Sequence, residues 1–271
     1  MTRSISAWLS LILFLSACAP ASGPSSAPTS TPLPERTATS APPTSTPTRT
    51  PSPTPSPVPT PSRTASISLI ENLVEARPAE TEEFAPATIG QSLSIGGQAR
   101  TGEESRARLD LLPDGTIIRL APNSYFTLAK LEGQETNPFT LLELFFGKIF
   151  IILSGGELQA QTPSGVASVR GSMMSVSYDP DAKIMTVTCL EGHCSLRNDK
   201  GLIELVAGQA ADIINGILGG GPRDLTDQEL LDWLDNVPEL NDRPDLLVSL
   251  KERLKNLLDK REPPRINPRR P

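Results

Sequence analysis

The chain has 271 residues with 28 prolines, only 7 Phe, 2 Tyr and 2 Trp, and a single histidine. Proline near one residue in ten, against about 5 % in ordinary proteins, excludes a uniformly packed chain, and one histidine leaves a Ser-His-Asp triad only His193 and a zinc site too few ligands. The net charge of −6 divides as +3 over residues 1–65, −8 over 66–216 and −1 over 217–271, so the basic face that a nucleic-acid partner needs is missing and the acidity serves solubility.

Residues 1–17 read as an export signal. Arg3 precedes the apolar run Ile5–Leu15, which at about 11 residues is too short for a bilayer that needs about 20. Leu15-Ser16-Ala17-Cys18 then resembles a bacterial lipobox, in which the cysteine is lipidated and becomes the first mature residue. Cys18 is thus expected to be a membrane anchor, two or more acyl chains giving stable attachment. The rest of the chain is expected to be extracytoplasmic, at the cell surface or in the periplasm.

Residues 18–65 read as a disordered stalk. Pro, Ser, Thr and Ala dominate, as in Thr48-Arg49-Thr50-Pro51-Ser52-Pro53-Thr54-Pro55. Proline fixes φ and removes donors, favouring polyproline II. At about 3.1 Å per residue, some 45 residues reach roughly 140 Å when extended. The Thr/Ser-Pro density also resembles O-glycosylated stalks.

Residues 66–216 read as a β domain. Period-two alternation marks Ile67, Leu69 and then Leu73, Leu93 and Ile95, and Ala107, Leu109 and Leu111. Pro113-Asp114-Gly115 is a turn, since proline presets its first corner and glycine accepts positive φ. It predicts a hairpin of 108–112 with 116–120. After Ala121-Pro122-Asn123-Ser124 a strand is expected over 125–131. The most apolar stretch, 140–153, is too short to span a membrane and predicts two buried strands meeting at Gly147-Lys148. Further strands are expected at 158–162, 167–178, 184–190, 194–197 and 203–206. About ten short strands with regular turns indicate an all-β, antiparallel sandwich, roll or short solenoid.

Four blocks in this segment resemble the FecR family of periplasmic sensor domains. They are Ala107–Ser124, Gly147-Lys148-Ile149-Phe150, Thr162–Ser172, and the closing Leu190-Glu191-Gly192 with Ala207-Gly208-Gln209. The resemblance covers about 66–213 and gives Asp114, Gly115, Gly147, Gly165, Arg170, Gly171, Gly192 and Gly208 as family-motif positions of structural rather than catalytic kind. It implies an all-β extracytoplasmic domain that binds or relays a signal. The best-known members act on a sigma factor through a cytoplasmic segment and one transmembrane helix; a lipid anchor in their place argues against direct sigma-factor control.

Cys189-Leu190-Glu191-Gly192-His193-Cys194 holds the remaining cysteines and the only histidine. Three ligands fall short of a structural zinc site. Two strands flanking a Glu-Gly turn would place Cys189 opposite Cys194 at disulfide spacing, in a compartment that permits oxidation. A disulfide is therefore expected, with His193 in an exposed turn; free thiols are the alternative. Gly219-Gly220-Gly221-Pro222 lacks the lysine of a phosphate loop and reads as a joint, and Asp179-Pro180-Asp181 as a turn. No metal and no cofactor is expected.

Residues 217–262 read as helical. Thr226-Asp227-Gln228-Glu229 matches a capping box, followed by Leu230, Leu231 and Leu234 with Trp233 and a stop before Pro238. A second helix is expected from Pro244, with Leu246, Leu247, Leu250, Leu254, Leu257 and Leu258 along one side. The pair either docks on the β domain or offers an amphipathic face to a partner. The Arg-rich segment 263–271 is expected to be disordered. Together these readings describe a lipid-anchored envelope protein that binds a protein or glycan partner without catalysis; the competing readings are a structural spacer and a carboxylate-based glycan hydrolase.

Overall fold

The computed structural model describes residues 63–80, 82–134 and 137–261; Cys18 and the expected stalk up to residue 62 lie outside the described residues. Its strands in chain order are β1 (Thr64–Glu71), β2 (Val74–Arg77), β3 (Ala85–Pro86), β4 (Ser92–Leu93), β5 (Gln98–Thr101), β6 (Arg106–Leu112), β7 (Thr116–Leu120) and β8 (Tyr125–Gln134). There follow β9 (Asn137–Ile152), β10 (Glu157–Thr162), β11 (Gly165–Asp179), β12 (Ile184–Asn198), β13 (Gly201–Val206), β14 (Gln209–Ile214), β15 (Ile217–Leu218) and β16 (Arg223–Asp224). Helix α1 (Asp227–Asn236), the 3-10 turn η1 (Pro238–Asp242) and helix α2 (Pro244–Arg261) complete the described chain. No helix among the described residues is long and apolar enough to cross a membrane.

The expected hairpin is present: β6 and β7 pair antiparallel with Ala107 opposite Leu120, and Ala107, Leu109 and Leu111 are all buried. Leu93 reaches the core, whereas Ile95 is exposed, because the chain turns at Ile95 and Gly96 immediately after β4. Where two strands were expected at 140–153, one strand, β9, runs through and bends at Gly147. A Cβ there would lie 2.3 Å from the Asn123 carbonyl oxygen and 2.4 Å from Ser124 Cα, and φ is +88°. Only glycine lets the β7–β8 turn approach so closely while the backbone takes a left-handed step.

Pairing sorts the strands into two layers that share three long strands. One layer runs β3, β2, β5, β8, the first part of β9, β10, the first part of β11, the second part of β12, and β13. The other runs β4, β1, β6, β7, the second part of β9, the second part of β11, the first part of β12, and β14 with β15 and β16. Among the resulting pairs only β9–β10 is parallel. β9, β11 and β12 pass from layer to layer at bends, which is how one hydrogen-bonded sheet becomes a sandwich.

The bend in β12 is sharp. Five residues of extended strand span about 16 Å, yet the Cα atoms of Cys189 and Cys194 are 5.8 Å apart and their sulfurs lie at disulfide distance. The spacing argument predicts a hairpin whose strands pair with one another. Instead, Cys189 is opposite Met174 and Cys194 opposite Val169 on β11, so the two halves lie in different layers and the cysteines clamp the corner between them. Thr162 Oγ1 donates to Met185 Sδ at 3.1 Å, and Asn198 Nδ2 to the Gly216 carbonyl at 3.2 Å, each linking the two layers. The buried residues of both layers form one core, from Phe126, Leu142, Leu158 and Leu196 on one side to Leu109, Ile149, Val176 and Val187 on the other.

Strand structure extends beyond the expected 66–216 at both ends. β15 and β16 fall within the segment read as helical, pairing with the ends of β14. At the other end, Arg63 precedes β1 and is fixed by all five of its guanidinium donors. They reach both carboxylate oxygens of Asp114 (3.0 and 3.2 Å), the Glu132 and Phe139 carbonyls (2.8 Å each) and Thr140 Oγ1 (3.0 Å). The side chains of Arg63 and Asp114 are only 4 % and 3 % exposed. With every donor satisfied the buried guanidinium is offset for its desolvation, whereas either partner alone would be costly.

Candidate binding face

The outer faces of the two layers differ. On the layer containing β14, one row of side chains crosses the sheet as Arg108, Arg119, Phe150, Ser175, Thr188 and Ala210. This face is capped. The Thr226–Glu229 capping box forms as the sequence predicts and aims α1 onto it. Trp233 packs edge-on against Phe150 at 5.0 Å, and its Nε1 donates to Thr188 Oγ1 at 2.9 Å, which in turn bonds Ser175. Met173, Leu190, Leu225, Leu230, Val237 and Leu240 complete a second apolar cluster. The helices therefore dock on the β domain rather than presenting this face to solvent.

Ion pairs surround that cluster. Glu239 of η1 accepts from Arg119 Nε and Nη2, each at 2.7 Å, and from Arg108 Nη1 at 3.0 Å. Lys148 reaches Asp232 at 2.8 Å, and Arg243 pairs with Glu191. Arg223 bridges Asp212 of β14 and Glu229 of α1 at 2.8 and 2.7 Å. Burial alone would push both carboxyls up. Hydrogen bonds from Arg223, aided by Thr186 at Asp212 and Thr226 at Glu229, outweigh it and hold both below the usual carboxylate range. The same bonds, that to Glu229 foremost, hold the Arg223 guanidinium above its ordinary value.

No element among the described residues covers the outer face of the other layer. Cross-strand register aligns Glu157, Arg170, His193 and Val206 in one row, and Gln159, Ser168, Ser195 and Glu204 in the next. All of these but Val206, with Arg197 and Leu202, line a shallow groove of about 360 Å³. Arg170 binds Glu157 through Nε and Nη2 (3.0 and 2.6 Å). Hydrogen bonds from Gln159 and then Arg170 hold the Glu157 carboxyl below its usual range against partial burial. It is thus a fixed acceptor, ill suited to act as a general acid.

At the far end of this layer, a bulge opposite Tyr125 and Phe126 leaves Phe145 and Phe146 both exposed. Tyr125 stacks on Phe145 at 4.8 Å and lies 5.7 Å from Phe146 and 6.0 Å from Phe84, while Arg100 and Arg77 sit over the Phe84 ring at 4.3 and 5.3 Å. Aromatic and arginine side chains at a bulge are the composition of a contact surface.

The family-motif positions are distributed along the fold rather than gathered in one pocket. Asp114 holds Arg63, and Gly115 closes its turn. Gly147, Gly171 and Gly192 have positive φ at the bends of β9, β11 and β12. Gly165 begins β11, where a Cβ would lie 2.6 Å from both the Arg197 carbonyl oxygen and Ile213 Cδ1. Gly208 donates to the Cys189 carbonyl at 2.8 Å beside the corner. Arg170 alone lies in the open groove. His193 is exposed, on the bend of a strand rather than in a hairpin turn. No group of three or more His, Cys, Asp or Glu among the described residues is arranged to hold a metal. Sequence reasoning missed Arg63 and Glu239: a lone arginine after a proline tract and a glutamate after Pro238 carry no periodic signal.

No curated protein matches the chain. Two crystal structures of a protein from Parabacteroides distasonis ATCC 8503, provisionally assigned as an anti-sigma factor, are similar at 16% identity and a TM-score of 0.43. The similarity covers 51% of this chain and 63% and 64% of theirs, less than two thirds of their length. The pattern of the FecR protein family matches residues 97–195. That span runs from β5 into β12, narrower than the resemblance over 66–213, and leaves the Ala207-Gly208-Gln209 block outside it. The chain carries a FecR domain, formed by the central strands of the sandwich and its three bends.

Proposed function

We propose that this chain is an extracytoplasmic lipoprotein, anchored through Cys18 and raised on a stalk of residues 18–62, whose FecR domain binds a partner in the cell envelope. The domain serves sensing, scaffolding or adhesion there, not catalysis and not direct control of a sigma factor. One observation carries the binding reading: the sandwich is sealed by helices on one outer face and leaves the other open, lined with polar and charged side chains and an aromatic end. Oxidation of Cys189 and Cys194 would lock the corner on which the groove rests.

The anchor is tested by labelling cells with an alkyne fatty acid. Cys18→Ser should abolish labelling and release the protein from the membrane fraction; unchanged labelling would overturn the anchor. The face is tested by sedimenting the unlipidated Cys18→Ser chain, from residue 18 onward, with isolated envelopes. Arg170→Glu with Arg197→Glu should weaken binding at least about tenfold, a loss of about 1.4 kcal/mol, while exposed Ile89→Ala leaves it unchanged. Equal retention of both variants would refute the open face as the contact.

A further inference from the structure

Every open sheet has edges, and unpaired backbone groups along them invite other chains; proteins blunt edges with very short strands, Lys, Pro or bulges. The sandwich does so at three of its four. The open layer ends at one side in β3, and the β14-containing layer ends in β4 and in β15 and β16, each of two residues. The fourth edge is β13. It pairs with β12 through all six of its residues without a register shift, and with no other strand among the described residues.

The sequence Gly201-Leu202-Ile203-Glu204-Leu205-Val206 holds no Lys, Pro or bulge, and only at its end does a side chain meet its backbone, Gln209 Oε1 accepting from the Val206 N–H at 3.1 Å. Ile203 and Leu205 face the core, and Leu202, Glu204 and Val206 face outward beside the groove, Leu202 and Val206 being 55 % and 47 % exposed. The Glu204 carboxylate makes no hydrogen bond or ion pair among the described residues. We propose that β13 is a docking edge for an extended segment of a partner protein, in which Lys or Arg alternates between two apolar residues. This rests on the partner-binding reading above and specifies where and what the domain binds.

The chemistry follows from the row. Backbone bonds along the edge supply general affinity, and alternate side chains select. Apolar residues of the incoming strand cover Leu202 and Val206, and a cation lies opposite the unpaired carboxylate of Glu204. A second copy of this chain is disfavoured by the same residue. Antiparallel self-pairing that sets Leu202 opposite Val206 also sets Glu204 opposite Glu204, and like charges directly opposite repel.

The test uses the full mature chain and amide hydrogen exchange, with the capped heptapeptide Thr-Val-Thr-Lys-Thr-Val-Thr as probe and its Lys-to-Glu version as control. The Lys peptide should slow exchange at residues 201–206 and not at β3 or β4. Glu204→Lys should weaken the Lys peptide and strengthen the Glu peptide, each at least about threefold. Because the reversal gains binding for one peptide, loss of folding cannot mimic it. Absence of protection at 201–206 up to millimolar peptide, indifference to the charge at 204, or protection that arises from dimerisation without peptide would each overturn the proposal. If the peptide fails while Arg170→Glu with Arg197→Glu still abolishes envelope binding, the β13 edge falls and the open face stands; if neither has an effect, both fall.

Discussion

Replacing Glu239 by Ala removes the carboxylate that receives three guanidinium donors where the helices meet the sheet. Arg108 keeps Asp110 at 2.7 Å and is partly exposed, so its loss is small. Arg119, 6 % exposed in its side chain, is left with a buried and uncompensated charge. Breaking a buried pair from one side costs about 3–5 kcal/mol; with Glu239 itself still 14 % exposed, we expect about 3 kcal/mol. With an m-value near 2 kcal/mol/M in urea, that is a midpoint shift of about 1.5 M. Trp233 is one of two tryptophans, the other being Trp8, and it sits on the interface in question, so its emission reports the loss directly. Arg119→Met on the Glu239→Ala background should restore at least about 2 kcal/mol, since removing both charges removes the desolvation penalty. A shift below about 0.3 M in the single variant, or no coupling in the cycle, would refute the assignment of this pair as a clasp of the helices.

Three further outcomes follow from the same geometry. Asp212 and Glu229 have carboxyls held below their unfolded values of about 4, so their stabilisation is complete above that pH and lost as pH falls through the folded values. Urea midpoints read by Trp233 should therefore drop from pH 6 to pH 3, and Asp212→Asn with Glu229→Gln should flatten that slope; an unchanged slope would contradict the reading. Reducing Cys189–Cys194 should raise the intact mass by two hydrogens and, for a closed loop of six residues, lower stability by about 2 kcal/mol. Two freely alkylated thiols in the unreduced protein would show that the corner is held by packing alone. Gly147→Ala should cost more than about 2 kcal/mol, combining a left-handed residue with a Cβ driven into Asn123 and Ser124; a smaller loss, measured by thermal unfolding, would mean that the β7–β8 turn can move aside.

The legible parts of this fold were those encoded in local period and turn chemistry. The alternation through 107–111, the Pro113-Asp114-Gly115 turn and the Thr226–Glu229 box each specify a short element from neighbouring residues, and each is present. The illegible parts were the bends. Gly147 and Gly192 read equally well as turns between two strands or as corners within one, because positive φ serves both, and the strand expected over 167–178 gave no sign of its bend at Gly171. Only the partners, set by residues far along the chain, decide that β9, β11 and β12 change layer. The cysteine pair shows the same limit: its spacing forces close approach, but not whether the flanking strands pair side by side or stack across the core. Arg63 and Glu239 were invisible for a related reason. A polar residue acquires its meaning from the group it meets, here Asp114 and Arg119, which lie 51 and 120 residues away in sequence.

The central claim is that the layer left uncovered by the helices is where this FecR domain meets its partner. A photo-crosslinking residue placed at Ser168 or Ser195, in the middle of the open face, and at Ile89, more accessible than either but outside the groove, tests it in living cells. The account predicts a discrete crosslinked envelope species from Ser168 and Ser195 and none from Ile89. Crosslinks of equal yield from all three positions, or from Ile89 alone, would contradict it.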